Sequence, residues 1–248
     1  MPDDGRDSIR AAQANMRPAP LRRFYKTAEA READGLFALT LDGRGARTPG
    51  RNRLAARSRA VMERVAEEWA RQREIIDPAD MPITRLVNSA VDGVAKAMEA
   101  TRAEIVRYAG SDLLCYRAEA PEALAERQRL AFDPILDWAA ETLGARFALA
   151  GGILHVEQPA ETLAAVRAAV EAVDDPVALA ALSVATTLTG SAVLALAVAR
   201  GRLAPEEAWR LAHVDEDFQI ETWGADEEAT ARRAARWRDM EAAASVLA

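Results

Sequence analysis

Residues 36–50 read LFALTLDGRGARTPG and residues 61–76 read VMERVAEEWARQREII, and the change of rhythm between them decides the fold. The first stretch opens with a short apolar run that stops at Asp42-Gly43, a dipeptide that supplies the positive φ of a two-residue hairpin turn. It predicts a strand over Leu36–Leu41 and a second through Arg44–Thr48, ending at Pro49-Gly50. Arg23-Phe24-Tyr25-Lys26 is expected to add another strand, with Phe24 and Tyr25 buried in the sheet. In the second stretch Val61, Met62, Val65, Ala66, Trp69, Gln72 and Ile76 recur at three- and four-residue spacing. That period predicts an amphipathic helix closing the small sheet and stopping before Asp77-Pro78.

Beyond this point helical signals dominate. Val87, Ala90, Val91, Val94, Met98, Ile105 and Tyr108 keep helical spacing, with Gly93 marking a kink. Asp133-Pro134 predicts a helix start, because the Asp side chain can cap and Pro needs no amide donor in the first turn; Gly144 is the expected stop. Ile135, Leu136, Trp138, Ala139 and Leu143 would form its buried stripe, and Trp69 and Trp138 are expected in the core. An extended piece is expected over Arg146–Val156, broken by Gly151-Gly152. Asp175-Pro176, Pro205 and Asp226 open further helices, while Gly201 and Gly224 close them. The expected class is α+β: a flexible tail over 1–20, a small β-containing domain over 21–80, and a predominantly α-helical domain over 81–248.

The composition excludes several kinds of protein. Of 248 residues 50% are apolar and 29% charged, the balance of a folded globular chain. The single cysteine, Cys115, rules out an internal disulfide and a four-cysteine zinc site, and is expected to be a small buried side chain. The net charge of −7 argues against nucleic acid as a partner. It is unevenly spread: residues 1–60 carry +6 and the rest −13. The basic run Arg44–Arg59 reads as solvated surface, with an acidic partner as the alternative. Met1–Pro20 contains Asp3, Asp4 and Asp7 and no apolar stretch, so it reads as neither secretory signal nor organelle presequence, and a bacterial cytoplasmic location is expected. Val177–Ala199 has 23 residues without a charge. Thr186, Thr187, Thr189, Gly190 and Ser191 at its middle predict a break between two buried helices, with no membrane insertion.

Few residues carry chemistry. Gly43, Gly45 and Gly50 have the wrong spacing for a phosphate cradle, and no Walker-type lysine is present. His155, between Leu154 and Val156, reads as a hydrogen-bonded structural histidine. His213 with Asp215, Glu216 and Asp217 supports an alternative reading as an enzyme or a metal-dependent protein. Contiguous positions on a helix point in different directions, however, and a solvated acidic turn is the expected state. No catalytic residue, metal or cofactor is assigned.

Several segments, taken in order, carry a resemblance. These are Arg23-Phe24-Tyr25-Lys26, Leu41-Asp42-Gly43-Arg44 leading to Thr48-Pro49, Glu68-Trp69 with Gln72, Asp77-Pro78 and Met81–Leu86. The second half adds Ser111–Arg117, Gln128 with Asp133-Pro134, Gly190-Ser191, and Asp215-Glu216-Asp217-Phe218-Gln219 followed by Trp223-Gly224. The set, spanning about residues 22–230, resembles the assembly chaperones that bind the free α subunit of the ATP synthase catalytic head. The resemblance implies a chaperone without catalysis, holding new α subunit soluble until β subunit displaces it. It places α binding at Asp215, with Glu216 the neighbouring candidate; family members often carry glutamate where this chain has aspartate. Glu221 joins them because it lies four residues from Asp217 on one helical face. Phe218 and Trp223 are candidate interface anchors, a core role orienting the acidic turn being the preferred alternative.

Overall fold

The computed structural model describes residues 21–152 and 154–247; the expected tail over 1–20 lies outside them. Its N-terminal part is built on a hairpin of β1 (Ala28–Ala33) and β2 (Leu36–Leu41), paired antiparallel from Ala28 opposite Leu41 to Ala33 opposite Leu36. A second two-residue turn, Asp42-Gly43, leads into β3 (Arg44–Gly45) on the other side of β2, where β4 (Ala55–Ala56) also pairs. Asp42 and Gly43 have φ of 48° and 77°, the left-handed pair that this hairpin turn demands. β3 is shorter than the expected 44–48, with Arg47 bridging Arg53 beyond it. β1 is a strand the sequence reading lacks. Its Ala-Glu-Ala-Arg-Glu-Ala is poor in strand formers, and pairing with apolar β2 overrides that local preference.

Arg23–Lys26 is no strand. Arg22 makes one bridge to Ile75, and the Arg23 guanidinium donates to the carbonyls of Tyr25, Lys26, Ala70 and Gln72, stitching the segment to a helix end. Tyr25 is buried as expected and donates its hydroxyl to the Trp69 carbonyl (2.7 Å). Phe24 is 65% exposed, contrary to expectation, because neighbours in extended chain face opposite ways.

The helix of the second stretch, α1 (Arg59–Arg71), is capped by the Ser58 hydroxyl and ends at Gln72, where the backbone turns extended. Ile76 is still buried, but as an extended residue whose amide bonds the Leu21 carbonyl. α2 (Pro82–Asp92) stops at Gly93, which ends the helix instead of kinking it; a 3-10 turn at Val94–Lys96 leads to α3 (Met98–Ala109). The buried Glu68 joins α1 to α2. Its carboxylate accepts the amides of Ile83 (2.8 Å) and Thr84 (2.7 Å) and the Thr84 hydroxyl (2.7 Å), satisfying donors that a helix N-terminus leaves open.

Asp133-Pro134 does not start a helix. Both lie inside α4 (Glu122–Trp138), and Asp133 pairs with Arg117 (2.7 Å) instead of capping. Burial of Gln128, Phe132 and Ile135 carries the helix through the proline; the carbonyl deprived of its donor belongs to Leu130, on the exposed side. A π-turn, Ala139–Leu143, and left-handed Gly144 then end it where expected. Ile135 and Ala139 are buried, Leu136, Trp138 and Leu143 half-buried. In the expected extended stretch, β6 (Ala150–Gly151) pairs in parallel with β5 (Tyr116–Arg117). His155 nearby is exposed, with the Tyr116 hydroxyl 3.4 Å from Nδ1, so the hydrogen bond expected of it is made at the surface.

The remaining helices are α5 (Ala160–Glu171), α6 (Pro176–Thr189), α7 (Ala192–Ala199), α8 (Pro205–Ala212), α9 (Val214–Trp223) and α10 (Glu227–Leu247). Gly190, at φ 69°, ends α6, and Ser191 caps α7, so the charge-free run does break at its middle. Residues 192–198 are all buried, and among the described residues no helix is long and apolar enough to cross a membrane. Two apolar cores result. Leu39, Leu54, Met62, Met81 and Val87 centre the first; Leu114, Phe132, Leu182, Leu194 and Leu196 the second. α6 and α10 serve both: Ala181 and Ala243 face the first core, Leu182 and Ala244 the second.

At the heart of the second core, Asp112 is fully enclosed. Its carboxylate accepts the amides of Leu114 and Val193, both at 3.1 Å, and the Leu113 amide bonds the Gly190 carbonyl, so the 112–115 turn locks onto the start of α7. Burial pushes its pKa up to about 6, against the bonds from Ser191, Val193, Leu114 and Ala192 that favour the ion. A carboxyl whose pKa rises on folding binds its proton more readily in the native chain. Its contribution to stability is therefore greatest below about pH 4 and is lost as pH rises toward 6. Between those limits unfolding titrations should show this chain losing about 1–3 kcal/mol relative to Asp112→Asn, which cannot titrate. A constant difference would contradict the assignment. Cys115 is buried as expected, its thiol pushed up to about 12 by burial and unreactive in consequence.

Candidate functional site

The acidic turn is built by two successive helix boundaries. α8 opens at Pro205 and closes at His213, and α9 begins one residue later, so Asp215, Glu216 and Asp217 fall in its first turn, where the helix dipole favours negative charge. His213 is buried against Trp209, ring centroids 4.1 Å apart. Nδ1 lies 2.7 Å from the Trp209 carbonyl, an acceptor only, so that nitrogen carries the proton. Burial, first, and the nearby Arg233 and Arg236 hold the imidazole below its usual pKa, against the Trp209 bond and Glu216.

The acidic side chains diverge. Asp215 Oδ1 accepts Gln128 Nε2 of α4 (2.7 Å), while the Gln128 carbonyl oxygen accepts the Ala118 amide (2.7 Å). Glu216 approaches His213 Nε2 (3.7 Å) and Arg233 (3.8 Å), and Asp217 pairs with Arg233 of α10. Glu221 takes both terminal nitrogens of Arg127 at 3.0 and 2.6 Å, which holds its carboxyl below the usual range. α9 is thus tied to α4 on one flank and α10 on the other. Among the described residues no group of three or more His, Cys, Asp or Glu side chains is placed to hold a metal ion.

Between α4 and α9 runs an open groove of about 570 Å³. Ala131 and Val214 line its apolar part, and Arg127, Asp217 and Glu221 its charged walls. Leu130 stands on the rim, 62% exposed. Phe218 is half-buried, its ring 5.4 Å from the Arg127 guanidinium. Trp223, at the end of α9, is 77% exposed and no part of the core. The sequence reading thus placed Asp217 and Glu221 on one face, and both line the groove; Asp215 and Glu216 sit on other faces of the same helix. It missed Arg127 and Leu130 as members of this surface. The signal is an apolar residue on the charged side of a helix beginning at Glu122, which a helix start at Asp133 leaves outside the helix.

An open groove with charged walls and a small apolar floor, beside a helix that carries an exposed tryptophan at its end, offers the polar and apolar contacts used to grip another polypeptide.

Comparisons with known proteins identify the family. The profile of the ATP12 chaperone protein family matches residues 22–140. The crystal structure of Atu1473 from Agrobacterium tumefaciens is similar over 100% of this chain and 91% of its own, at 48% identity and a TM-score of 0.90. That of Atp12 from Paracoccus denitrificans is similar over 91% of this chain and 97% of its own, at 42% identity and a TM-score of 0.86. The mitochondrial protein atp12 of Schizosaccharomyces pombe is 24% identical over 225 residues, 86% of this chain and 77% of that one. The chain belongs to the ATP12 chaperone family, the chaperones of ATP synthase assembly, and is not an enzyme.

Proposed function

We propose that this chaperone binds the free α subunit of the ATP synthase catalytic head through α9 and the neighbouring groove, and releases it when β subunit takes its place. Asp215, Glu216 and Glu221 supply the charge of that surface and Phe218 and Trp223 its aromatic contacts. Trp223 is the observation that carries the reading: a tryptophan 77% exposed at the far end of the helix that opens with the acidic turn leaves a large aromatic face free for a partner. A subunit made for a ring exposes two large apolar flanks until its neighbours arrive, and an unpaired flank invites aggregation. A surrogate neighbour covers such a flank with roughly 1,200–2,000 Å² of buried surface. Release by competition requires only that β subunit bind the same flank more tightly.

The test is co-expression with ATP synthase α or β subunit and co-purification of each. Soluble complex is expected with α and little with β, and added β subunit should discharge α from the complex. Asp215→Asn removes the charge but keeps an acceptor for Gln128, so it separates charge from support of the helix. Recovery of α should fall with Asp215→Asn and fall further with Asp215→Lys, while the Asn variant keeps its melting temperature within about 2 °C. Undiminished recovery with both Asp215→Lys and Glu221→Lys would remove this surface from the interface.

The reading of His213 and its acidic neighbours as a catalytic or metal centre has no such support. His213 Nδ1 is committed to the Trp209 carbonyl, Asp215 to Gln128 and Asp217 to Arg233.

A further inference from the structure

A second groove, of about 620 Å³, lies on the N-terminal part of the chain, against the sheet. Its apolar lining includes Leu21 and Phe24, both more than half exposed, and the buried Leu41. Trp69 also lines it, and the Trp69 indole N–H is buried without an acceptor among the described residues. Arg44 and Arg47 stand on the rim, and neither has a carboxylate partner among the described residues. The one carboxylate on the lining, Asp42, is exposed but engaged by its own chain, accepting the Lys26 and Thr27 amides and the Thr27 hydroxyl. The groove therefore presents apolar surface beneath positive charge.

Its wall is also a strand edge. In the order β1-β2-β3 the strand Arg44–Gly45 comes last, so its outer edge is unpaired among the described residues. A Cβ added at Gly45 would meet nothing within 4 Å, which leaves this backbone open to a neighbour. Unpaired edges accept extended chain through main-chain hydrogen bonds, while pockets beside them select the side chains.

We infer that this groove is a second docking surface for the same client, taking an extended segment that carries an aromatic or long aliphatic side chain flanked by carboxylates. The inference rests on the α-subunit reading above for the identity of the client. The apolar side chain would lie between Phe24 and Leu41, and the carboxylates would meet Arg44 and Arg47. The positive balance of residues 1–60 and the negative balance of the rest would then engage two oppositely charged regions of one partner. The arrangement makes binding bidentate, so that β subunit can displace the client one contact at a time.

Photocrosslinking in the intact complex tests this. A benzoyl-phenylalanine is placed at position 24 in one full-length chain and at position 223 in another, each co-expressed with α subunit and irradiated. Position 24 is expected to crosslink to an α-subunit peptide with Asp or Glu within a few residues. Crosslinks from position 24 only to residues 1–20 of its own chain, only to a second copy, or to nothing, while position 223 still captures α, would overturn the second surface and spare the first. Capture at position 24 alone would uphold the groove and remove α9, and capture at neither would overturn both. Independently, the Arg44→Glu, Arg47→Glu double variant should bind α subunit at least about tenfold more weakly near 0.15 M ionic strength, with a smaller loss at high salt. Both side chains lie on the surface, so melting should not change. Unaltered affinity in the double variant would overturn the proposal.

Discussion

Glu68→Ala should cost about 3–5 kcal/mol of stability, the range for stripping one partner from a buried charged hydrogen-bond group. Glu68 is 3% exposed, and its removal leaves the amides of Ile83 and Thr84 and the Thr84 hydroxyl without their acceptor. These are the opening donors of α2, whose Ile83, Leu86, Val87 and Ala90 build the first core. The loss would therefore spread from a helix end to the seam between α1 and α2. Glu68→Gln keeps one carbonyl oxygen as acceptor but turns an amide group toward donors, and should fall between Ala and the native residue. Chemical denaturation of the three chains checks the order, and a loss below about 1 kcal/mol for the alanine variant would mean that water replaces the carboxylate.

Trp223→Ala should weaken binding of α subunit by about thirtyfold or more, the effect of truncating an aromatic hot spot, with melting unchanged. The two readouts separate because the side chain is 77% exposed in the free protein: it has little packing to lose before the partner arrives. Trp138 is the contrast. It is half-buried against the second core, so Trp138→Ala should lower stability and touch affinity only through the fold. Titration of labelled α subunit against native chain and both variants, alongside thermal melts, decides it. Equal affinity for native chain and Trp223→Ala would mean that the tryptophan stays outside the interface.

The motifs that carried the family resemblance have a common physical role in the structure. Glu68 closes the start of α2, Asp112 and Ser191 close the start of α7, and Gln128 bonds Asp215. Glu68, Asp112 and Gln128 are buried side chains that each bond a group on another segment, and Ser191 is a buried local cap. Such positions tolerate little change, since an unmatched buried donor or acceptor is costly. Most of those residues lie apart from the proposed client surface: Arg127, Leu130 and Glu221 belong to the groove, and of these only Glu221 is legible in the sequence.

Turns, caps and period were legible because they are local. Asp42-Gly43, Ser191 and the spacing of Val61, Met62, Val65 and Ala66 each act within a few residues, and each holds in the folded chain. The errors have one cause as well. β1 is a strand because β2 lies beside it, Pro134 sits inside α4 because Phe132 and Ile135 are buried on either side, and Phe24 turns outward because Tyr25 claims the interior. The sequence by itself determined the small sheet, the helical remainder, the buried break at Gly190 and the acidic turn at the head of α9. Tertiary structure alone decided which face of that helix meets solvent, because Gln128 reaches its first turn and Arg127 its last from a segment about 90 residues away, and no periodicity along a chain encodes contacts made across it.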